Sequence, residues 1–132
     1  MRLKGLGTTI PFIATLILSF ASVSSARVSD TELRRGVAIM NKHYPKTLPS
    51  GRSRVERAYV RNGTIATKFT VLIPGNIADL KKIFHADVIV RSKSPNILKL
   101  INEQGYVYYD YYDKSGKLLF SFKITPTDLR RK

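Results

Sequence analysis

The side chains of this sequence that could carry out acid–base chemistry are few and poorly placed for it. Its two histidines, His43 and His85, are far apart and lack the paired spacing of a zinc motif. Asp110 and Asp113 lie three residues apart in a predicted strand, which places them on opposite faces of a sheet. They therefore cannot flank one substrate bond, as the two carboxylates of a glycosidase must.

The sequence also lacks the residues that nucleophilic catalysis and cofactor binding need. The chain has no cysteine, which excludes thiol catalysis, cysteine zinc sites and iron–sulfur clusters. Ser50-Gly51 and Ser115-Gly116 are typical of turns, and neither belongs to a nucleophile-elbow motif or a phosphate-binding glycine loop. We therefore predict a protein that is not an enzyme, with no catalytic residues, no metal site and no cofactor. A small hydrolase acting through Asp110 is the least favoured alternative.

Basic and aromatic residues are the better indication of function. Arginines are spread along one predicted strand and tyrosines along another, and aromatic rings beside cations suit stacking on bases or sugars as well as protein interfaces. The alternative is that these tyrosines pack under helices, at the boundary of the core. The candidate partner-binding residues are Arg52, Arg54, Arg57, Arg61, Tyr106, Tyr108 and Tyr112.

The first 26 residues have the three parts of a signal peptide. Arg2 and Lys4 form a positive start, residues 10–23 are mainly apolar, and Ser24-Ser25-Ala26 ends the segment with small side chains. As a helix, the apolar stretch would be about 21 Å long, shorter than a bilayer core of about 30 Å. We predict a cleavable signal peptide at 1–26 and a single domain at 27–132, periplasmic or secreted, with no transmembrane segment after cleavage.

The predicted mature domain is strongly basic. Removing residues 1–26 takes away two of the 23 lysines and arginines and none of the nine acidic residues, which leaves a net charge of +12. Such an excess favours attraction to polyanions, although it can also serve solubility alone. The predicted partners are an envelope protein or an anionic surface of lipid head groups or polysaccharide. Nucleic acid is disfavoured, because export separates the protein from it.

Apolar periodicity and turn signals predict seven elements in the order α-β-β-α-α-β-β. The predicted helices cover 30–43, 76–90 and 95–104, and the strands cover 53–61, 64–73, 106–113 and 117–125. Four antiparallel strands in two hairpins, with three helices packed on one face, form the simplest α+β arrangement. The first strand, rich in arginine, is predicted to be an edge.

The two predicted hairpins differ in how well their register is specified. Asn62-Gly63 favours a two-residue turn, which pairs Val60 with Ile65 and Glu56 with Phe69. In the second hairpin, a loop of residues 114–116 sets Asp110 beside Phe120. A Ser115-Gly116 loop instead sets Tyr111 beside Phe120. The second register is slightly preferred, because it keeps the Asp110 carboxylate out of the core.

Several short motifs are spread over the domain, namely Asn41-Lys42, Leu48-Pro49, residues 92–95, Gly105, Tyr109, Tyr111, Asp113, Gly116 and residues 125–128. With these motifs the chain resembles a loose group of small exported bacterial proteins of undescribed function. In that group, cysteines stand at the positions of Ser92 and Leu129 and would join the third helix to the C-terminus, whereas this chain has neither cysteine. The resemblance implies a periplasmic location and no catalytic residues.

These observations predict a non-enzymatic exported module that binds a partner in the cell envelope, as an accessory to a secretion or pilus assembly. The alternative, from a different class, is a secreted effector or toxin that acts on a host or rival cell. Finding the mature protein outside the producing cell would favour the alternative.

Overall fold

The structure is a computed structural model that describes residues 27–130. The predicted signal peptide lies outside the described residues, so it and the domain boundary after residue 26 stay predictions. The described elements, in chain order, are α1 (Asp30–Asn41), β1 (Lys46–Thr47), β2 (Ser53–Arg61), β3 (Thr64–Val71), α2 (Ile77–Ser92), α3 (Pro95–Gln104), β4 (Val107–Tyr112), β5 (Leu118–Ile124) and α4 (Pro126–Arg130).

Local signals at the helix ends explain where the three longer helices begin and end. Ser29 and Glu32 form a capping box at the start of α1, each side chain bonding the other's backbone N–H. The Asn76 side chain accepts a hydrogen bond from the Asp79 N–H at the start of α2. Gly105 ends α3 with a φ of 93°, a conformation that favours glycine. The three predicted helices are therefore confirmed, apart from small shifts at their ends.

The Ser29→Ala variant is expected to lower the free energy of unfolding by about 1 kcal/mol, the usual cost of losing a serine cap. The hydroxyl accepts from the Glu32 N–H at 3.2 Å, and alanine would leave that donor without its partner. Urea denaturation followed by circular dichroism measures the change. Thr31→Ala, which alters an exposed residue of the same helical turn, is the control. An equal loss in the two variants would contradict the capping role.

The sheet has five strands in the order β1-β2-β3-β4-β5, and β3 and β4 pair in parallel. The predicted four-stranded, fully antiparallel sheet is therefore wrong in strand number and in one pairing. The two hairpins meet through β3 and β4, and the chain between them passes through α2 and α3. Such a helical connection returns the chain to the end of the sheet at which β3 began, so β4 runs in the same direction.

Two short elements were not predicted, the strand β1 and the helix α4. β1 pairs Lys46 with Val55 and Thr47 with Arg54, so it covers the beginning of β2. The prediction that β2 is an edge strand is therefore wrong for its first residues. A two-residue strand leaves no periodic pattern in the sequence, because its pairing depends only on contact with a distant segment.

The helices pack against one face of the sheet and bury an aromatic core there. Phe69 of β3 stacks on Tyr111 of β4, with ring centroids 4.6 Å apart. Phe84 of α2 lies 4.7 Å from Tyr111 and is fully buried. Leu33 of α1 and Ile101 of α3 are buried in the same cluster. The side chains of β3 and β4 that alternate with this core must therefore point to the opposite face of the sheet.

The first hairpin has the predicted turn but carries a bulge further along. Arg61 pairs with Thr64 and Val60 with Ile65 around Asn62-Gly63, as predicted. The bulge near Glu56 then shifts the register, so that Val55 rather than Glu56 opposes Phe69. The shift buries an apolar residue beside Phe69 and turns the Glu56 carboxylate toward the Thr70 hydroxyl, which donates to it at 2.5 Å.

The second hairpin combines features of both predicted registers. Asp113 bonds Lys117 across a loop of residues 114–116, as in the first alternative. Tyr111 nevertheless opposes Phe120, as in the preferred alternative, because a bulge follows Tyr111. The same bulge leaves Leu118 half exposed, although the alternating pattern of the strand predicts it on the inner face.

Candidate interaction surface

The face of the sheet opposite the core carries a set of cations and tyrosines that we call the outer face. Across the described part of the chain, the helices pack on the other side. β2, β3, β4 and β5 contribute alternate residues to the outer face, since side chains two apart on a strand share a side. Its residues are Arg57, Tyr59, Arg61, Lys68, Tyr108, Asp110, Tyr112, Ser121 and Lys123.

Asp110 is the anion at the centre of this face. Its side chain is only 4% exposed, and Arg61 donates to both carboxylate oxygens, at 2.9 and 3.1 Å. The hydroxyls of Tyr59 and Ser121 also donate to the carboxylate. A buried charge is tolerated only when paired and hydrogen-bonded, and here three side chains from β2 and β5 meet that requirement. Asp110 is thus out of the aromatic core, as predicted, yet buried.

Four cations of the outer-face region lie over tyrosine rings. The guanidinium of Arg61 is 4.0 Å from the ring centroid of Tyr108, the shortest of these contacts. Each such contact contributes about 0.5–1 kcal/mol at an exposed site, and together they hold the rings and charges in fixed positions. The other three pairs are Arg57 with Tyr59 at 4.7 Å, Lys68 with Tyr112 at 4.6 Å and Lys123 with Tyr106 at 4.6 Å.

Tyrosines on both sides of the sheet have raised pKa values. Burial, together with the hydrogen bond to Asp110 and the charge of that carboxylate, raises the pKa of Tyr59 to about 12. Burial likewise raises the pKa of Tyr109 to about 12, against the opposing effect of its hydrogen bond with Ser92. Both phenols are therefore neutral at any physiological pH, and the Tyr59 hydroxyl donates its proton to the Asp110 carboxylate.

Stability is expected to fall as the pH rises from about 10 to about 12. Unfolded phenols ionise near the ordinary value of 10.0, whereas Tyr59 and Tyr109 ionise near 12 in the folded state. Unfolding therefore releases protons in this window, and the stability present below pH 10 is progressively lost. Denaturation curves at increasing pH measure the slope, and Tyr59→Phe should make it shallower. An unchanged slope in that variant would contradict the shifted pKa.

The structure brings most of the candidate residues together but not all of them. Arg57, Arg61, Tyr108 and Tyr112 lie on the outer face, and Tyr106 lies beside it, in edge contact with Tyr108 at 5.5 Å. Arg54 pairs across the strands with Thr70, and Thr70 pairs with Tyr112, so Arg54 lies on the same side of the sheet as Tyr112. Its guanidinium donates to the Glu56 carboxylate at 2.7 Å.

Arg52 is the exception among the candidate residues. It precedes β2, and its guanidinium bonds Asp87 of α2 at 2.8 Å, so it belongs to the helical side. Strand alternation alone would have placed Arg52 with Arg54, but the Arg52 side chain pairs with Asp87 on α2 instead.

Sequence reasoning missed five members of the outer face, namely Tyr59, Lys68, Asp110, Ser121 and Lys123. Tyr59, Lys68 and Lys123 each alternate with core residues on their own strands, so the period-2 pattern could have found them. The same alternation places Asp110 between Tyr108 and Tyr112, but it could not predict the partners that surround the carboxylate. Its partners lie 49 and 51 residues earlier and 11 residues later, and only the sheet pairing brings them together.

Within residues 27–130, no cluster of three or more histidines, cysteines, aspartates or glutamates could hold a metal ion. Over the same range, no helix is both long enough and apolar enough to span a bilayer.

No known family model matches the chain, and no curated protein sequence matches it. Its fold is similar to that of EpsS, the pilotin of the Vibrio vulnificus type 2 secretion system. That similarity has a TM-score of 0.59 at 9% identity and covers 76% of this chain and 89% of the pilotin. A candidate secreted protein of Pseudomonas aeruginosa matches with a TM-score of 0.58 at 9% identity, over 76% of this chain and 91% of that one. At such identity the likeness establishes a shared α+β fold, in keeping with the resemblance to exported bacterial proteins.

Proposed function

We propose that this protein is a non-enzymatic, exported accessory module that binds a partner protein of the cell envelope through its outer face. The observation that carries the proposal is the set of cations and tyrosines held around Asp110 on the helix-free side of the sheet. A surface without a helix over it, yet with its side chains fixed, can bind with little loss of conformational freedom.

The composition of the outer face supports a protein partner. Tyrosine and arginine are enriched among the residues that dominate binding energies at protein interfaces. Arg57 and Lys123 are exposed at two sides of the surface, while the Asp110 charge between them is neutralised by Arg61. An acidic patch on the partner would therefore meet positive charge across this face.

The fold neighbours support a role beside a secretion assembly. One is the pilotin of a type 2 secretion system, and the other is described as a candidate secreted protein. Together with the predicted signal peptide, they make an envelope location the natural setting for a basic binding module. The proposed partner is thus a component of such an assembly with an acidic docking surface.

A pull-down with charge-reversal variants tests this proposal. A C-terminally tagged copy of the chain is expressed in its own organism, recovered from envelope extract at low and high salt, and its bound proteins are identified by mass spectrometry. We expect one protein to remain at high salt. Arg57→Glu combined with Lys123→Glu should remove that protein at both salt concentrations, because the exposed cations would then repel an acidic partner.

The control combines Lys81→Glu with Lys82→Glu, which changes the charge equally at two exposed residues of α2. This variant should retain the partner. If both double variants lose the partner alike, net charge rather than the outer face governs binding. If every protein elutes as salt rises, the basic domain is a general polyanion binder, and the proposal is wrong.

A further inference from the structure

A narrow apolar groove lies between α1 and α3 on the helical side of the sheet, away from the outer face. Ile65, Thr67 and Tyr109 form its floor, and its volume is about 270 Å³. Gly36 faces the groove from α1, where larger side chains would fill it. Its walls are mainly apolar and come from both helices, among them Leu33, Ile39, Met40, Ile97 and Leu100.

The groove is long enough for an extended chain. Its lining residues on α1 run from Glu32 to Met40, about 12 Å at 1.5 Å per residue, and His43 and Tyr44 continue it beyond the end of the helix. A single aliphatic chain is therefore a suitable occupant.

One end of the groove carries a cation, Arg91, that forms no ion pair within the described part of the chain. Arg91, near the end of α2, lies 5.3 Å from the ring centroid of Phe69, and its charge acts on the hydroxyl groups of Tyr44 and Tyr109. Asp87, one helical turn earlier, is paired with Arg52 instead. Among residues 27–130, no ion pair joins Arg91 to a carboxylate.

The two ends of the groove differ in charge, so a ligand with one charged end would bind in a single orientation. His43 and Arg91 line one end. At the other end, Glu32 is engaged with Ser29 in the capping box of α1. An anionic head group would therefore be attracted to the Arg91 end and repelled from the Glu32 end.

We propose that the α1–α3 groove binds a free fatty acid, with the aliphatic tail between the two helices and the carboxylate paired with Arg91. The apolar walls remove the tail from water, and Arg91 offers a charge-assisted, bidentate contact to the head group. The volume is close to the lower limit of small-molecule pockets, roughly 300 Å³, which suits one chain.

Isothermal titration calorimetry of the purified protein with dodecanoate, kept below its micelle concentration, tests the proposal. We expect saturable binding of one fatty acid per protein. Arg91→Gln should weaken binding by at least about tenfold, because the carboxylate loses a charge-assisted contact. Dodecanol, with the same tail and no charge, should bind the unaltered protein about as weakly as dodecanoate binds the variant.

Gly36 offers a matched pair of variants for the tail site. Gly36→Leu should abolish binding by filling the groove, while Gly36→Ala adds only a Cβ, 3.9 Å from the Ile65 side chain, and should leave binding nearly intact. Both substitutions favour the helix over glycine, and an unchanged circular dichroism spectrum would show that a variant without binding is still folded. The Arg57→Glu, Lys123→Glu variant should bind dodecanoate normally, which separates this site from the proposed function.

Three outcomes would overturn the fatty acid proposal. The first is no saturable binding of dodecanoate to the unaltered protein. The second is equal affinity for dodecanoate in Arg91→Gln and the unaltered protein, which would show that Arg91 does not bind the head group. The third is a change in self-association of the Gly36→Leu variant in analytical ultracentrifugation with dodecanoate binding unaffected, which would make the groove an interface between two copies of the chain.

Discussion

Replacing Asp110 with alanine is expected to lower the free energy of unfolding by about 3 kcal/mol. The substitution removes the acceptor for Arg61, Tyr59 and Ser121 at once. Breaking a buried ion pair from one side costs about 3–5 kcal/mol. The lower end applies here, because the Arg61 side chain is 37% exposed and can be rehydrated. Guanidinium chloride denaturation followed by circular dichroism measures the loss.

A double-mutant cycle separates the ion pair from the rest of the Asp110 cluster. Once Arg61→Ala is present, Asp110→Ala should cost less than it does alone, because no guanidinium is left without a partner. Asp110→Asn should be milder than Asp110→Ala, since the amide oxygen still accepts from Tyr59. Strictly additive losses in the cycle would mean that Arg61 and Asp110 do not stabilise each other.

The Asp110→Ala variant should also lose the envelope partner, because Tyr59 and Arg61 would no longer be held in place.

Replacing Phe84 with alanine is expected to lower the free energy of unfolding by about 3–5 kcal/mol. Phe84 is fully buried and lies against Tyr111 and Phe120, with centroids 4.7 and 6.4 Å away. Alanine would leave a cavity where α2 packs on the sheet, and a domain of this size has only about 5–15 kcal/mol of stability in total. Thermal and urea unfolding measure the change.

The Ile83→Ala variant is the matched control for Phe84, one residue away on the same helix. Ile83 is 36% exposed, so its loss should change the stability by no more than about 0.5 kcal/mol. The Phe84→Leu variant should lie between the two, because leucine refills part of the cavity. A loss below 1 kcal/mol for Phe84→Ala would contradict the packing of α2 on the aromatic core.

Local signals in the sequence predicted the elements of the fold better than their arrangement. The Asn62-Gly63 turn, the Asn76 cap and the Gly105 stop each depend on residues close in sequence, and all three are confirmed. The pairing of β3 with β4 joins segments about 40 residues apart, and the predicted antiparallel arrangement is wrong there. Recognising the helical connection as a crossover would have predicted the parallel pair.

The candidate surface was predicted in part for the same reason. Alternation along β4 correctly puts Tyr108 on the side of Arg61 and Tyr109 on the side of Phe69, because the period of two is a property of the strand itself. It could not place Arg52, whose partner Asp87 lies on a helix 35 residues later. The partner-binding role of these residues stays a prediction.

The sequence by itself determined the helix ends, the hairpin turns, the basic charge and the alternation that puts tyrosines on both sides of β4. These are properties of single residues and of neighbours along the chain. Only the tertiary structure decided that Asp110 would be a buried anion rather than an exposed one. Its neutralisation requires Arg61 and Tyr59 from a strand that is not even adjacent to β4 in the sheet. The α1–α3 groove likewise exists only because α1 and α3 leave a gap over the sheet, and such a gap cannot be predicted from a local sequence pattern.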